Sequence, residues 1–169
     1  MIRLGQLRSL ASLTLQLAIL VVLIAAFFVR LPQVSGLSMA PQINSGEYVL
    51  INTLAYRFGT PARGDVVAFH HGGALDQTYI KRVIGLPGDR VSIDRGTVRV
   101  NGTALVEPYV RYNDERSFPE VVVPPGTVYV LGDNRGNSED SRFFGPVAGG
   151  DLMGRALARI WPPDAFGSL

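Results

Sequence analysis

One lysine and one serine are the residues of this chain best suited to do chemistry together. Lys81 is the only lysine, beside fifteen arginines, and it follows Ile80 in an apolar run. Arginine is effectively always protonated, whereas a buried lysine can lose its proton and act as a base. Ser38 lies between Leu37 and Met39, and a serine hydroxyl becomes a strong nucleophile only when a base takes its proton. Since a neutral lysine is the base in Ser-Lys hydrolases, the two residues are candidates for such a pair.

Each of these two residues also fits an ordinary structural role. A serine flanked by apolar residues occurs in many turns, and a buried lysine can belong to a structural ion pair. The adjacent His70 and His71 offer a second kind of base, although neighbours in a strand point to opposite faces, so at most one could reach a given site. Sequence spacing does not exclude a Ser-His-Asp triad.

A lysine base requires a lowered pKa. With an ordinary pKa of about 10.4, a lysine is neutral in about one molecule of 2,500 at pH 7. A pKa of about 8 would raise that fraction to about a tenth, at a cost of ~3.3 kcal/mol. Burial can lower a lysine pKa by up to about 3–5 pH units, so the apolar surroundings of Lys81 could suffice.

A polar loop follows the apolar run 127–131. Its sequence, GDNRGNSEDSRFFG at residues 132–145, contains Ser138, Asp140 and Arg142. Taken alone, the segment is typical of a solvated loop with Asx turns and a surface ion pair.

The elements that must position these residues are predicted to be strands. From residue 44 onward, short β-like runs alternate with Gly, Pro, Asn and Asp. The candidate strands are 47–52, 65–70, 78–85, 90–93, 97–100, 120–123, 127–132 and 155–161. The link Asp94-Arg95-Gly96, in which Gly96 can take a positive φ, and the pair Asn101-Gly102 are hairpin-turn signals. We therefore predict a mostly β fold with an antiparallel sheet, in which 111–120 is an exposed loop and 151–160 a final strand rather than a helix.

An apolar segment precedes this domain. Residues 10–29 are interrupted only by three uncharged polar residues, and twenty helical residues span about 30 Å, the thickness of the hydrocarbon core of a bilayer. We predict a transmembrane anchor at 10–29, a cytoplasmic N-terminus at 1–9 and an extracytoplasmic catalytic domain at 30–169. Arg3 and Arg8 before the span, against Arg30 after it, favour this orientation. A cleaved secretory signal peptide is the alternative.

Charge and composition exclude some functions. The formal net charge is +2, for which Arg3 and Arg8 account, so no basic patch of the kind that binds nucleic acid is visible. There are no cysteines, and therefore no disulfide and no thiolate nucleophile. Scattered Asp and Glu, without ligand spacing, predict no metal site.

Four motifs in one order resemble a known family. SGLSMAP, RGDVVAF, YIKRVIGLPGD and GDNRGNSEDSRFFG are similar to motifs of the type I signal peptidases (leader peptidases), bacterial Ser-Lys proteases that remove signal peptides from exported proteins. The similarity runs from Val34 to Pro162. It implies an antiparallel β-sheet catalytic domain after one transmembrane helix.

The resemblance also implies roles for residues. Ser38 would be the nucleophile and Lys81 the general base. Ser138 would supply a hydroxyl that hydrogen-bonds the lysine. Asp140 and Arg142 would support the site by forming ion pairs, and Arg82 would be a partner of Asp140.

Substrate binding is assigned on the same basis. Met39 and Pro41 would shape the nucleophile's turn, and Leu37 and Met39 could line shallow pockets. Some family members carry a hydroxyl residue where this chain has Gly36. We therefore expect the oxyanion to be held mainly by backbone N–H groups, that of Ser38 included, while Gly36 lets the substrate come close.

The resemblance implies partners and a location. Substrates would be secretory preproteins with small residues at the first and third positions before the cut, and no cofactor would be needed. The protein would sit in the cytoplasmic (inner) membrane with its catalytic domain on the outer face, in contact with lipid. Association with the secretion machinery is a further expectation.

Two rival functions remain open on the sequence. One is a membrane-anchored β domain that binds a partner without chemistry. The other is a different Ser-Lys hydrolase, such as a self-cleaving repressor, which would need a DNA-binding module, or a peptidase for conjugative pilus subunits.

Overall fold

A long N-terminal helix leads directly into a β structure. The computed structural model describes residues 4–72 and 74–169. Helix α1 spans Leu4–Phe28, and within the described part of the chain it is the one helix long and apolar enough to cross a membrane, over Leu10–Phe28. It ends where β1, Val29–Arg30, begins. Pro32 follows, which cannot continue a helix.

The larger sheet is antiparallel throughout and carries the site. Its strands follow the order β1, β2, β11, β3, β4, β9, β10, with β12 added against β11. Their bounds are β2 Tyr48–Asn52, β3 Val66–His71, β4 Ala74–Gly85, β9 Thr127–Leu131, β10 Val147–Ala148, β11 Leu152–Trp161 and β12 Gly167–Ser168. Two one-turn helices, α2 Ala55–Phe58 and α3 Ser141–Phe144, lie in the connections.

A smaller sheet of four strands is inserted between β4 and β9. Its order is β7, β6, β5, β8, with β5 Arg90–Asp94, β6 Thr97–Val100, β7 Thr103–Ala104 and β8 Phe118–Val122. The predicted turns join β5 to β6 and β6 to β7, although the first loop is only Arg95-Gly96, because Asp94 still pairs with Thr97 as part of β5; the second is Asn101-Gly102. All four turn residues have positive φ, as two-residue hairpin loops matching the strand twist require.

Three apolar clusters fill the interior. One is formed by residues from β2, β3, β4 and β11 together with Met39 and Ile43. A second lies under the smaller sheet, and a third joins β3, β4, β9 and β10. Burying an aliphatic side chain contributes about 1.5–3 kcal/mol, so the first cluster fixes the segment that contains Ser38.

The predicted fold class is confirmed, and two local predictions need correction. The segment 151–160 forms a strand rather than a helix, as expected, with β11 running from Leu152 to Trp161. However, β4 begins at Ala74 rather than 78, and 111–120 is not simply an exposed loop. Phe118 already belongs to β8, and the carboxylate of Asp114 is withdrawn from solvent by ion pairs with Arg116 and Arg142.

Candidate active site

Ser38 lies on a turn that the core holds in place. The next residues, Met39 and Ala40, are buried, as is Ile43. The Ile43 N–H donates to the Met39 carbonyl oxygen at 2.9 Å, and the Ala40 N–H donates to Leu37. Apolar burial immediately after Ser38 therefore fixes the backbone, while Ser38 itself keeps partial access to solvent.

Lys81 reaches Ser38 from β4. Its Nζ lies 2.7 Å from Ser38 Oγ and also donates to the Ile80 carbonyl oxygen at 3.1 Å. The residue is only 3% exposed, and its amine lies over the Tyr79 ring, 5.7 Å from the centroid. A lysine nitrogen and a serine oxygen are thus within proton-transfer distance in a nearly dry setting.

Burial gives this lysine an unusual pKa. Desolvation lowers the pKa of Lys81 from 10.5 to about 8, although the negative charges of Asp140, Glu139 and Asp133 oppose the change. A pKa in this range is what a lysine needs to act as a base near neutral pH. About a tenth of the molecules then carry a neutral amine at pH 7.

Asp140 organises the polar loop. It is fully buried, accepts from the Gly132 N–H at 3.0 Å and forms two hydrogen bonds of 2.8 Å with the Arg142 guanidinium. It also caps α3 by accepting from the Arg142 N–H. Since the Asn134 N–H donates to the Ser38 carbonyl oxygen at 3.0 Å, the loop is joined to the nucleophile's turn.

The expected pairing of Arg82 with Asp140 is wrong. Consecutive side chains leave opposite faces of a strand, and Arg82 leaves β4 on the side away from Ser38. It forms a bidentate pair with Asp133, at 2.9 and 2.7 Å, and stacks on the Tyr109 ring at 4.2 Å. Asp140 is already occupied by Arg142 and the Gly132 N–H.

The expected hydrogen bond from Ser138 to the lysine is not formed in this structure. The Ser138 hydroxyl is buried and has no hydrogen-bond partner within 4–72 and 74–169. The Ser138 side chain packs tightly against the backbone at Gly132 instead. A Cβ placed on Gly132 would overlap Ser138 Oγ and the Ser38 carbonyl oxygen, so glycine is required at that position.

A cleft of about 600 Å³ opens beside Ser38. One wall is the segment 32–39, which includes the expected Gly36, Leu37 and Met39, and the other is the middle of β4, from Thr78 to Lys81. Gly36 has a φ of +106°, and a Cβ there would meet nothing within 4 Å. Pro41 is not among the lining residues, but its cis bond with Ala40 lies in the same turn.

The sequence as a whole matches one family. A sequence model described as signal peptidase, peptidase S26, matches residues 7–161. A signal peptidase I of Leptolyngbya laminosa is 39% identical over 139 residues, which cover 78% of this chain and 68% of that protein. A probable signal peptidase I-1 of Synechocystis is 36% identical over 163 residues, covering 92% of this chain and 83% of that protein. The chain belongs to the signal peptidase family.

Membership in the signal peptidase family fixes the kind of activity. The chain is a serine endopeptidase that cleaves signal peptides from preproteins, by the Ser-Lys chemistry of that family. A solved signal peptidase I from Enterococcus faecalis is 35% identical, with a TM-score of 0.49 over 57% of this chain and 96% of the other. The family is anchored in membranes, in keeping with α1.

Sequence reasoning missed a set of supports for the signal peptidase site. The segment 105–117 contacts the polar loop through Glu107, whose carboxylate pairs with the buried Arg135. Arg135 in turn donates to the Gly132 carbonyl oxygen at 3.0 Å. Asp114 adds a second partner to Arg142 at 2.8 Å. The acidic residues of that segment indicated that ion pairs could form, but only the fold shows which arginines they contact.

The histidine alternative finds no support in the geometry around Ser38. His71 packs against the Phe144 ring, with centroids 4.2 Å apart. Neither histidine lines the cleft that contains Ser38.

Proposed function

We propose that Ser38 is the nucleophile and Lys81 the general base of this signal peptidase. The single observation that carries the proposal is the 2.7 Å distance between Lys81 Nζ and Ser38 Oγ, made by an amine with a pKa of about 8. The neutral amine takes the Ser38 proton while Oγ bonds to the scissile carbonyl carbon. The tetrahedral intermediate then expels the amine, which receives the proton from Lys81, and leaves an ester on Ser38.

Hydrolysis of the ester repeats the proton transfer. A water loses a proton to neutral Lys81 as its oxygen bonds to the ester carbon. Ser38 Oγ then leaves with that proton, which restores both residues. The backbone N–H of Ser38 is the proposed oxyanion donor, worth about 10²–10³-fold in rate if it behaves like other such donors, and the open space at Gly36 admits the substrate backbone.

Ser138 is proposed to orient Lys81 during the reaction. Its hydroxyl is buried without a partner among the residues described, which is costly for a polar group. A hydrogen bond to the Lys81 amine would give this hydroxyl its missing partner. Asp140, Arg142 and Arg82 hold the surrounding backbone through the ion pairs described above.

Substrates are proposed to be secretory preproteins with small residues at the first and third positions before the cut. The apolar residues Leu37, Met39 and Ile80 are among those that line the cleft, and such a lining suits small apolar side chains. We propose that residues 10–29 are the anchor, with 1–9 in the cytoplasm and the domain 30–169 outside it. The reason is that more arginines precede the span than follow it closely. Location in the cytoplasmic membrane, lipid contact and association with the secretion machinery belong to the same proposal.

Cleavage of a labelled secretory precursor tests this function. The full chain in detergent is incubated with a precursor bearing an Ala-x-Ala site, and mass spectrometry identifies the new N-terminus. We expect Ser38→Ala and Lys81→Ala to lose at least about 10³-fold in rate, with Ser92→Ala, in the smaller sheet, as the control. Lys81→Arg should be equally inactive because a guanidinium stays charged. Normal turnover by Lys81→Ala would refute the proposed base.

A further inference from the structure

The cleft beside Ser38 carries one exposed charge that the proposed chemistry does not use. Among the described residues that line it, Lys81 and Glu139 are the charged ones. Lys81 is buried, whereas Glu139 is exposed. The other polar lining residues, such as Gln33 and Thr78, are neutral. A substrate therefore meets one exposed carboxylate in a cleft whose other charged group, Lys81, is buried.

The backbone on both sides of Glu139 is fixed. Asp140 is held by Arg142 and the Gly132 N–H, and the Ser138 carbonyl oxygen accepts from Arg142. The Glu139 carboxylate itself has no hydrogen bond or ion pair with the part of the chain that the structure describes. It is thus presented to the cleft by a loop with a fixed backbone, and the nearby Lys81 acts on it only as a charge at a distance, without an ion pair.

The charge of Glu139 reaches the proposed base as well. Lys81 is faced by Asp140, Glu139 and Asp133 as negative groups and by Arg142 as a positive one, with the Tyr79 ring beside its amine. Of the three acids, Asp140 and Asp133 are bound to arginines. Glu139 is the acid of this group left to interact with a substrate.

We infer that Glu139 is a specificity-determining residue, which favours substrates carrying Lys or Arg close to the scissile bond and disfavours those carrying Asp or Glu there. This inference rests on the proposed function. Exposed charge pairs contribute about 0.2–1 kcal/mol, which corresponds to a preference of up to about five-fold. The preference decreases with added salt, because the groups are exposed to solvent.

A charge scan of peptide substrates tests the inference. Peptides around an Ala-x-Ala site carry Lys, Gln or Glu at one position at a time on both sides of the cut. Each is cleaved by the full-length protein at pH 9, where most Lys81 is neutral, and the ratio of kcat/KM for Lys over Glu is measured. The ratio is internal to each variant, so changes in overall rate do not affect it.

The expected pattern separates the variants. At one or more positions the unmodified protein should prefer Lys over Glu by about two- to five-fold. The ratio should approach one in Glu139→Gln and invert in Glu139→Lys. It should persist in Glu120→Gln, which removes an exposed carboxylate from the smaller sheet.

Two results would overturn this inference while leaving the proposed function intact. One is a Lys-to-Glu ratio that Glu139→Gln leaves unchanged, and the other is a Glu139→Gln protein inactive toward all three peptides, which would give the residue a different role. If the unmodified protein cleaves the Gln peptide no faster than Ser38→Ala does, the proposed function fails instead.

Discussion

At the scale of single residues, the amine of Lys81 is the most unusual group in the molecule. The sequence identified it because one lysine stands among arginines in an apolar run. Its pairing with Ser38 was a candidate from the residue types alone, but since the two residues are far apart along the chain, the family resemblance was needed to prefer it over the structural roles. The partner of Arg82 was mispredicted, because sequence order alone does not tell which of two nearby carboxylates, Asp133 or Asp140, faces a given side of β4.

The pKa of Lys81 can be measured directly. Since the chain has one lysine, protein labelled with ¹⁵N and ¹³C in lysine gives a single side-chain signal, which should titrate near pH 8. Because the neutral amine is the proposed base, kcat/KM should rise through the same pH and level off above it. A signal that titrates above pH 10 in active protein would contradict the proposed role of the amine.

Burial of Lys81 should also cost stability. Its pKa is lower in the folded chain, about 8, than in the unfolded one, about 10.4, so between these values the unfolded state binds more protons. The free energy of unfolding should therefore rise with pH across this window. Below the window the full cost of burying the charged amine lowers the stability. Lys81→Met should be more stable at pH 7 by ~3 kcal/mol.

Chemical denaturation at several pH values checks this expectation. The advantage of Lys81→Met should shrink as the pH rises from 8 to 10.5, since the wild-type lysine is then increasingly neutral in both states. Ser92→Ala provides the control for a substitution without linked titration. An equal stability difference at pH 7 and pH 10.5 would show that burial of charge is not its cause.

At the scale of elements, the segment 105–117 acts as a brace for the polar loop. Glu107 pairs with Arg135, Tyr109 lies on the Arg82 guanidinium, and Asp114 pairs with Arg142. The strands and hairpin turns were predictable because their signals are local. The brace was not, because its acidic, proline-containing sequence has the composition of a solvated loop, and only tertiary packing shows which of its side chains are buried.

Removal of one brace contact should be strongly destabilising. Glu107→Ala leaves Arg135, with its side chain 3% exposed, as a buried charge without a partner. Such a loss costs about 3–5 kcal/mol, which urea denaturation would detect. Glu120→Ala breaks the exposed pair with Arg90 and should cost at most about 1 kcal/mol. Equal costs for the two variants would show that the brace does not stabilise the loop.

At the scale of the whole molecule, the helix and the sheet are joined without a linker. Helix α1 ends at Phe28, and Val29 already pairs with Asn52 of β2. The Phe28 carbonyl oxygen accepts from both the N–H and the hydroxyl of Thr53. If α1 spans the bilayer as proposed, the cleft is held at a set position relative to the membrane.

Insertion of a linker tests this positioning. Four Gly-Ser residues placed between Phe28 and Val29 should lower the cleavage of precursors embedded in vesicles several-fold while sparing a short soluble peptide. The same insertion in the Asn101-Gly102 turn is the control, since that turn lies in the smaller sheet. Equal rates on embedded precursors with and without the linker would contradict a fixed geometry.

The direct passage from α1 into β1 has a consequence for the preproteins themselves. A nucleophilic serine held at a constant height above the lipid selects scissile bonds that lie at one distance from the bilayer. The height of the serine would then set the number of residues between a precursor's hydrophobic segment and its scissile bond. Precursors in which this spacer is too long or too short would not be processed, even when the residues around the cleavage site are optimal.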